Sequence, residues 1–168
     1  MQPTREVREQ LGRFALVRQV VGDDGSLDLV AACLRPARYG AGQAIVTKGE
    51  PGSQAFLLVR GTVEIVDFTM DGEPYVKAVL TESDALLFGE LALVGGDVRT
   101  ATVRARTDCE CWVLEREDFL RLGEEHPRLG WLLLLEIARL LAVRLKRTNQ
   151  DVLQLFEALV MEVEGGSR

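Results

Sequence analysis

Five glycine-bearing turns in the middle of this 168-residue chain limit its fold more than any other feature. They separate short runs rich in Val, Ile, Thr, Phe and Tyr between residues 36 and 114. Their sequences are YGAGQ, KGEPGS, VRGT, MDGEP and VGGD. Short β-prone runs that are broken by turns about every 8 to 12 residues are typical of antiparallel sandwiches and jelly-roll barrels. An antiparallel β core is therefore predicted, and a parallel sheet with intervening helices is disfavoured.

Helical periodicity precedes this core. Residues 4–21 carry apolar side chains at helical spacing, which predicts one amphipathic helix. These side chains are Val7, Leu11, Phe14, Val17 and Val21. Ser26 is expected to cap a second short helix that ends near Cys33, because a serine side chain can accept a hydrogen bond from a free N–H group at a helix start. Both helices are predicted to be accessory to the β core.

Helical periodicity also returns after the core. Residues 116–126, REDFLRLGEEH, predict a short helix. Pro127 then stands where a proline opens a helix, since the missing N–H group costs nothing in the first turn. The helix that it opens can continue to about Glu164, where Gly165 and Gly166 stop it. A long C-terminal helix is therefore predicted.

The chain is large enough for one core with appendages. Its apolar content is 47%, and a chain of this length buries roughly two thirds of its unfolded surface. The expected segments are an N-terminal helical part (1–34), the β-barrel (35–115), the C-terminal helices (116–164) and a short tail (165–168).

The long helix carries an apolar seam in which spacings of four and three residues alternate. The seam consists of Leu141, Leu145, Thr148, Val152, Leu155 and Leu159. That alternation is typical of a coiled coil, although a helix packed on its own barrel is the alternative. Because the barrel can cover only part of so long a helix, we expect a homodimer through this segment. Thr148 lowers the stability of such a seam unless its hydroxyl finds a hydrogen-bond partner.

Charge and hydropathy exclude some classes of partner. The net charge is −6 and the isoelectric point is near 4.9, which argues against direct binding to nucleic acid, since such binding depends on clustered Lys and Arg. The most apolar stretch, residues 129–145, is interrupted by Glu136, Arg139 and Arg144, so we expect no membrane span. Without a signal-peptide pattern near the N-terminus, a cytoplasmic protein is predicted.

The histidine and cysteine content argues against a metal site. Cys33, Cys109 and Cys111 are the only cysteines and His126 is the only histidine, and none of them has the paired spacing of a zinc site. Cys109 and Cys111 are interpreted as buried strand residues. No metal, disulfide or catalytic nucleophile is predicted, and we expect the chain not to be an enzyme.

The stretch FGELALVGGDVRTATV, residues 88–103, is the strongest candidate for a site. A single helical turn at its start would leave N–H groups near Gly89 and Glu90 free, and the glycine would let a ligand approach the backbone. Arg99 offers a planar fork of donors for phosphate oxygens, beside the Thr100 hydroxyl. Glu90 can only accept hydrogen bonds and suits a sugar hydroxyl. A ligand with one phosphodiester and a ribose fits this pattern, but an intramolecular Glu90–Arg99 ion pair is the alternative.

The same stretch carries a resemblance to a known family. FGELAL followed by RTATV closely resembles the phosphate-binding cassette of the cyclic nucleotide-binding domain family. The likeness continues in GQAIVTKGEPGSQAFLLVRGTVEIV (42–66) and TDCECWVLEREDF (107–119), and it covers roughly residues 25 to 160. The family fold implied is mainly β with α: an antiparallel jelly-roll (double-stranded β-helix) barrel with N-terminal helices and a long C-terminal dimerisation helix.

The resemblance also implies a role for individual residues. Gly89 and Glu90 would hold the ribose 2′-hydroxyl, Arg99 and Thr100 the cyclic phosphate, and the Ala101 backbone would assist. Leu91 completes the cassette part of the set. RLKRTNQDV (144–152) is similar to the region where family members contact adenine, which would place Thr148 on the adenine amino group and Asn149 on the ligand of the partner subunit.

Two departures from the family pattern accompany this likeness. Ser83 replaces the usual glycine before the cassette, in a segment that is two residues longer, and the chain stops at EGGSR where bacterial receptors continue into a DNA-binding helix-turn-helix. The function implied is a non-enzymatic receptor for cyclic AMP, with cyclic GMP possible, that signals through the dimer helix to a downstream protein. The alternative is a degenerate barrel that serves as a dimerisation or docking module without ligand.

Overall fold

Two antiparallel sheets form the body of the molecule. The computed structural model describes residues 5–18, 24–84, 87–95 and 98–165. The strands are β1 (Leu34–Tyr39), β2 (Ala44–Val46), β3 (Gln54–Arg60), β4 (Thr62–Phe68), β5 (Pro74–Thr81), β6 (Leu87–Phe88), β7 (Thr102–Ala105) and β8 (Cys109–Glu115). One sheet has the order β1-β8-β3-β6 and the other has the order β2-β7-β4-β5. The predicted antiparallel jelly roll is confirmed.

Alternation along the strands builds the barrel core. In β3, Phe56 and Leu58 belong to the core cluster, while Ala55 and Leu57 lie on the opposite face of the strand. The buried members of the cluster are Val46, Phe56, Leu58, Val63, Phe88, Val103, Ala105, Cys109, Cys111 and Val113. All ten are apolar or thiol-bearing, which keeps polar atoms out of the space between the sheets.

The two β8 cysteines behave as core residues. Cys109 and Cys111 are each 2% exposed, as predicted for buried strand cysteines. Burial raises the pKa of the Cys111 thiol to about 12. Both thiols are therefore neutral at physiological pH and pack as small apolar groups.

Helices precede and follow the barrel strands, and one short helical turn lies between β6 and β7. They are α1 (Arg5–Leu11), α2 (Ala15–Arg18), α3 (Asp24–Ala32), α4 (Leu91–Val94), α5 (Arg116–Glu125) and α6 (Pro127–Gly165). The predicted short helix after the barrel and the long helix that starts at Pro127 are both confirmed. No helix within the described ranges has the length and apolarity that crossing a membrane requires.

The N-terminal helices differ from the sequence prediction in two respects. The single helix expected over 4–21 is interrupted, because Arg13 and Phe14 form tighter i→i−3 hydrogen bonds to Gln10 and Leu11 just after Gly12. Residues 4 and 19–21 of that prediction lie outside the described residues. Ser26 is not the cap of the second helix, since α3 begins at Asp24 and includes Ser26 as its third residue.

The chain divides into two compact units. Residues 1–133 form the first unit, which contains the barrel, and residues 134–168 form the second. The boundary falls inside α6. Every strand and the whole 88–103 stretch, where described, belong to the first unit.

Candidate ligand-binding site

The site begins where β6 ends at Phe88. Phe88 pairs with Phe56 across the sheet, and the two rings stack with centroids 5.1 Å apart and planes 13° apart. Gly89 follows with φ of 74°, a left-handed conformation that disfavours side chains with a β-carbon. The glycine therefore turns the chain out of the sheet directly after the aromatic pair.

A short helical turn follows, as the sequence predicted. Ala92 and Leu93 donate backbone hydrogen bonds to the carbonyls of Gly89 and Glu90. The turn ends at Gly95, which has φ of 128° and donates to the Leu91 carbonyl. Glu90, the residue before α4, is only 3% exposed. A charged side chain is seldom so completely buried in a folded protein, so the turn places a carboxylate in the protein interior.

The far end of the stretch is fixed by its backbone. Arg99 donates its N–H to the Glu50 carbonyl, and its own carbonyl accepts a hydrogen bond from Gly49, both at 2.9 Å. Val98 forms an isolated β-bridge with Pro51. The segment around Arg99 is therefore attached to the turn between β2 and β3.

The Arg99 side chain lies across the start of β3. Its Nη1 donates to the Gln54 main-chain carbonyl at 2.6 Å. Its Cζ lies 5.7 Å from the centroid of the Phe56 ring, within the range of a cation–π contact. Burial lowers the pKa of the guanidinium, and the nearby carboxylate of Glu115 opposes that shift. The guanidinium nevertheless remains a cation, because arginine is not deprotonated in proteins.

Two glycines make room for this guanidinium. A β-carbon added at Gly52 would lie 2.2 Å from Arg99 Nε and 2.5 Å from Cζ. One added at Gly89 would lie 3.0 Å from Arg99 Nη1. The guanidinium thus reaches back to the residue that opens the stretch. Gly89 and Arg99, ten positions apart in the sequence, are neighbours in the fold.

Glu90 and Arg99 do not neutralise each other. Arg99 forms no salt bridge within the part of the chain that the structure describes, and its recorded contacts are the Gln54 carbonyl and the Phe56 ring. The intramolecular ion pair that the sequence left open is therefore not the arrangement observed. A cavity of about 730 Å³ lies elsewhere on the barrel and includes neither residue among its lining.

A polar network continues behind Arg99. Gln54 Nε2 donates to Glu115 Oε1 at 2.6 Å, and the Ser53 hydroxyl lies 3.4 Å from Glu115 Oε2. The next residue, Arg116, donates its backbone N–H to the Ser53 carbonyl and its Nε to the Ala92 carbonyl in α4. The junction of β8 and α5 is thereby tied to both ends of the 88–103 stretch.

The remaining predicted site residues lie in more open positions. Leu91 is 39% exposed, Thr100 is exposed and Ala101 is half-buried. Thr148 and Asn149 belong to the second unit, where both are exposed. The segment before the cassette forms a 3₁₀ turn at Glu82–Asp84 that includes Ser83, while the next two residues, 85 and 86, lie outside the described ranges. The ligand roles of all these residues stay predictions.

Sequence reasoning missed Gly52, Gln54 and Glu115. Gly52 was part of a recognised turn, but its φ is outside the left-handed region, so turn chemistry alone does not explain a glycine there. Its role arises from contact with the Arg99 side chain, which comes from the loop before β7. Gln54 contributes a main-chain carbonyl, which no residue type reveals. Glu115 accepts a hydrogen bond from the Gln54 side chain, and only the strand register brings the two together.

Comparison with known proteins places this geometry in a family. The cyclic nucleotide-binding domain family matches residues 36–126, a range that contains both ends of the cassette. The chain belongs to the cyclic nucleotide-binding domain family. As a family member, it shares its architecture with domains of several regulatory proteins.

Among relatives, cGMP-dependent protein kinase 2 of Mus musculus is 33% identical over 115 residues, which is 68% of this chain and 15% of the kinase. The match thus spans about a seventh of the length of that curated relative. The N-terminal domain of a transcriptional regulator from Streptomyces coelicolor A3(2) has a TM-score of 0.69 and 27% identity, covering 85% of this chain and 94% of that domain. The catabolite activator protein of Thermus thermophilus has a TM-score of 0.68 and 28% identity, covering 80% of this chain and 60% of that protein.

Proposed function

We propose that this chain is a non-enzymatic receptor for a cyclic nucleotide, with cyclic AMP favoured and cyclic GMP the nearest competitor. The observation that carries the proposal is the Arg99 guanidinium. It lies half-buried beside Gly89, at the opening of the stretch that contains the buried Glu90, and it is hydrogen-bonded to an uncharged carbonyl. A cation in this state can accept an anionic ligand without first breaking an ion pair.

The cyclic phosphate is assigned to Arg99 and Thr100. Exchange of the Gln54 carbonyl for a phosphate oxygen would replace a neutral acceptor by a charged one, and charge-assisted hydrogen bonds are roughly twice as strong as neutral ones. The guanidinium also offers several donors in one plane, so it can hold two phosphate oxygens at once. The exposed Thr100 hydroxyl and the Ala101 backbone would supplement it.

The ribose is assigned to Gly89 and Glu90. A carboxylate accepts hydrogen bonds and repels phosphate, so a ribose 2′-hydroxyl is the part of the ligand that suits Glu90. Gly89 already lies next to the guanidinium, which supports neighbouring ribose and phosphate positions, as a cyclic ester requires. With about 1.5 to 3 kcal/mol for each charge-assisted hydrogen bond, a few such bonds support micromolar affinity, about −8 kcal/mol.

The base is assigned to Thr148 and Asn149. Both are exposed in the second unit, on the helix that carries the alternating apolar seam. A homodimer through this helix would let Thr148 meet the adenine amino group and Asn149 reach the ligand of the partner. Ligand can then bias the helix pair only as far as it binds one arrangement more tightly than another. A downstream protein partner would respond to that bias.

Titration calorimetry of the purified protein tests the proposal. Cyclic AMP and cyclic GMP are compared with 5′-AMP and with adenosine, and the oligomeric state is measured in the same samples. We expect micromolar binding of cyclic AMP, weaker binding of cyclic GMP, and binding of 5′-AMP and adenosine that is weaker by at least about 100-fold, because the cyclic phosphodiester is the recognised group. Absence of heat with both cyclic nucleotides at millimolar concentration would overturn the proposal and favour a docking module without ligand.

A further inference from the structure

The Glu115 carboxylate stands at the start of a helix but forms its hydrogen bonds with residues outside that helix. Glu115 is the last residue of β8 and the N-cap of α5, yet its side chain makes no capping hydrogen bond to that helix. An acidic side chain at a helix start normally accepts hydrogen bonds from the free N–H groups of the first turn. Here the carboxylate accepts its hydrogen bond from Gln54 on the neighbouring strand β3 instead.

One of its two partners, Gln54, is also the residue that accepts the Arg99 hydrogen bond. Glu115 Oε1 accepts the 2.6 Å hydrogen bond from Gln54 Nε2, and Oε2 lies 3.4 Å from the Ser53 hydroxyl. Gln54 is the residue whose main-chain carbonyl accepts from Arg99 Nη1. Gln54 therefore links the two charged groups: its side-chain amide bonds to the Glu115 carboxylate, and its main-chain carbonyl bonds to the Arg99 guanidinium.

Glu115 is not a direct competitor for the guanidinium. It supports the positive charge on Arg99, because it raises the pKa that burial lowers. Yet the two side chains form no salt bridge in the described part of the chain, since Arg99 bonds to the carbonyl and Glu115 bonds to Gln54 and Ser53. The carboxylate is occupied by uncharged donors, which leaves the guanidinium available to an anion.

We propose that Glu115 is a positioning residue for the phosphate site: its carboxylate fixes Gln54 and thereby holds the Arg99 guanidinium at the cassette. This inference rests on the proposed function for its ligand, but the ordering of Arg99 that it requires exists without one. Truncation of Glu115 would let Gln54 move away from the end of β8, and the guanidinium would lose its fixed acceptor. The phosphate would then have to order a mobile side chain, which costs free energy on binding.

The main test compares Glu115→Ala with Glu115→Gln in cyclic AMP titrations. We expect about a tenfold loss of affinity for Glu115→Ala, the equivalent of about 1.4 kcal/mol. Glu115→Gln retains an amide oxygen that can accept from Gln54 Nε2 and should recover most of that loss. Glu117→Ala removes an exposed carboxylate two residues further on and serves as the matched control, with unchanged affinity. Equal losses for the two Glu115 variants, or a gain of affinity for Glu115→Ala, would overturn the proposal.

A double-mutant cycle tests whether Glu115 influences Arg99 through the Gln54 side chain. Gln54→Ala removes the side-chain amide but keeps the carbonyl that Arg99 uses. If Glu115 acts through that amide, the Gln54→Ala and Glu115→Ala losses should be non-additive, so that the double variant binds no more weakly than either single variant. Full additivity would mean that the two residues act independently, which contradicts the inference.

A ligand-free readout separates this inference from the proposed function. The ¹H–¹⁵N heteronuclear NOE of the Arg99 Nε–H group reports whether the side chain is ordered. It should be high in the unliganded wild type and fall in Glu115→Ala, with recovery in Glu115→Gln. If the wild type binds no cyclic nucleotide but the NOE follows this order, the proposed function fails and the positioning role stands. An NOE that is the same in all three proteins would contradict the positioning role but not the proposed function.

Discussion

The barrel unit and the second unit differ in how they treat the residues proposed to contact ligand. In the barrel unit, the charged groups of the candidate site are half-buried or buried and already have defined neighbours, as the Arg99 hydrogen bond to Gln54 illustrates. In the second unit, large apolar side chains are left in the open: Leu145 is 62% exposed and Leu155 is 71% exposed. Thr148 and Asn149 are exposed among them.

The difference suggests that the two halves of the proposed ligand are recognised in different ways. The proposed phosphate and ribose residues, Arg99 and Glu90, both belong to the barrel unit, so these two proposed contacts would need no partner subunit. The proposed base contacts lie on a helix whose seam residues Leu145, Val152, Leu155 and Leu159 are each more than half exposed. Affinity for the phosphate would therefore belong to the barrel, and discrimination of the base would depend on assembly.

Removal of the guanidinium should have the largest effect. Arg99→Ala is expected to weaken cyclic AMP binding by at least about 100-fold in titration calorimetry, since two charge-assisted hydrogen bonds are lost. The melting temperature should change little, because Arg99 lies at the rim of the core rather than within it. Arg106→Ala, at an exposed arginine after β7, is the control. Unchanged affinity in Arg99→Ala would show that the phosphate site is misplaced.

A charge in the apolar seam of α6 should weaken the proposed dimer. Leu155→Asp is expected to raise the dimer dissociation constant by about 100-fold or more, because it places a carboxylate among apolar side chains in the seam. Sedimentation velocity measures the change. Gln150→Asp introduces the same charge outside the seam of the same helix and should leave the dimer intact. If Leu155→Asp remains as dimeric as the wild type, the seam is not the interface.

A methyl group added at position 52 should weaken ligand binding by the barrel unit without affecting the dimer. Gly52→Ala is expected to lower cyclic AMP affinity by about 10- to 30-fold, since the added carbon would overlap the Arg99 guanidinium and displace it. Gly40→Ala is the matched control, because a β-carbon there meets no atom within 4 Å. The dimer constant should be unaffected by both. Normal affinity in Gly52→Ala would mean that the bound guanidinium occupies a different place.

The smallest effect is expected at Thr148. Thr148→Val should lower affinity for cyclic AMP by about fivefold, the loss of one hydrogen bond to the adenine amino group. Affinity for the cyclic monophosphate of purine riboside, which lacks that amino group, should not change. Equal losses for the two ligands would contradict a base contact by Thr148 and would point to a general effect on the helix.

Local chemistry explains which parts of this structure the sequence could predict. The turn glycines and the β-prone runs between them predicted antiparallel strands, because turn and strand preferences are local. Most of the pairing is not local, since β1 pairs with β8 and β2 pairs with β7. Pro127 predicted the start of α6 in the same way. Prediction was wrong at the N-terminus, where Gly12 interrupts a regular apolar period and Ser26 lies inside α3 rather than before it.

The candidate site was predictable only at its two ends. Glu90 and Arg99 stood out because their side chains suit a sugar hydroxyl and a phosphate, and the resemblance of FGELAL and RTATV to the family cassette favoured that interpretation over an ion pair. The surroundings of Arg99 depend on tertiary contacts. Gly52 is required by a guanidinium from a loop 47 positions later in the chain, and Glu115 meets Gln54 through the register of β3 and β8. No pattern within either segment carries that information, so only the folded chain provides it.

The hydrogen bond between Arg99 and the Gln54 carbonyl also has a kinetic consequence. A cation that rests on a neutral acceptor can change partners without crossing the barrier that separation of opposite charges would impose. Nucleotide arrival would then be limited mainly by diffusion and orientation, and the lifetime of the complex would set its affinity. A receptor built in this way would follow changes in nucleotide concentration quickly, on both the rising and the falling side.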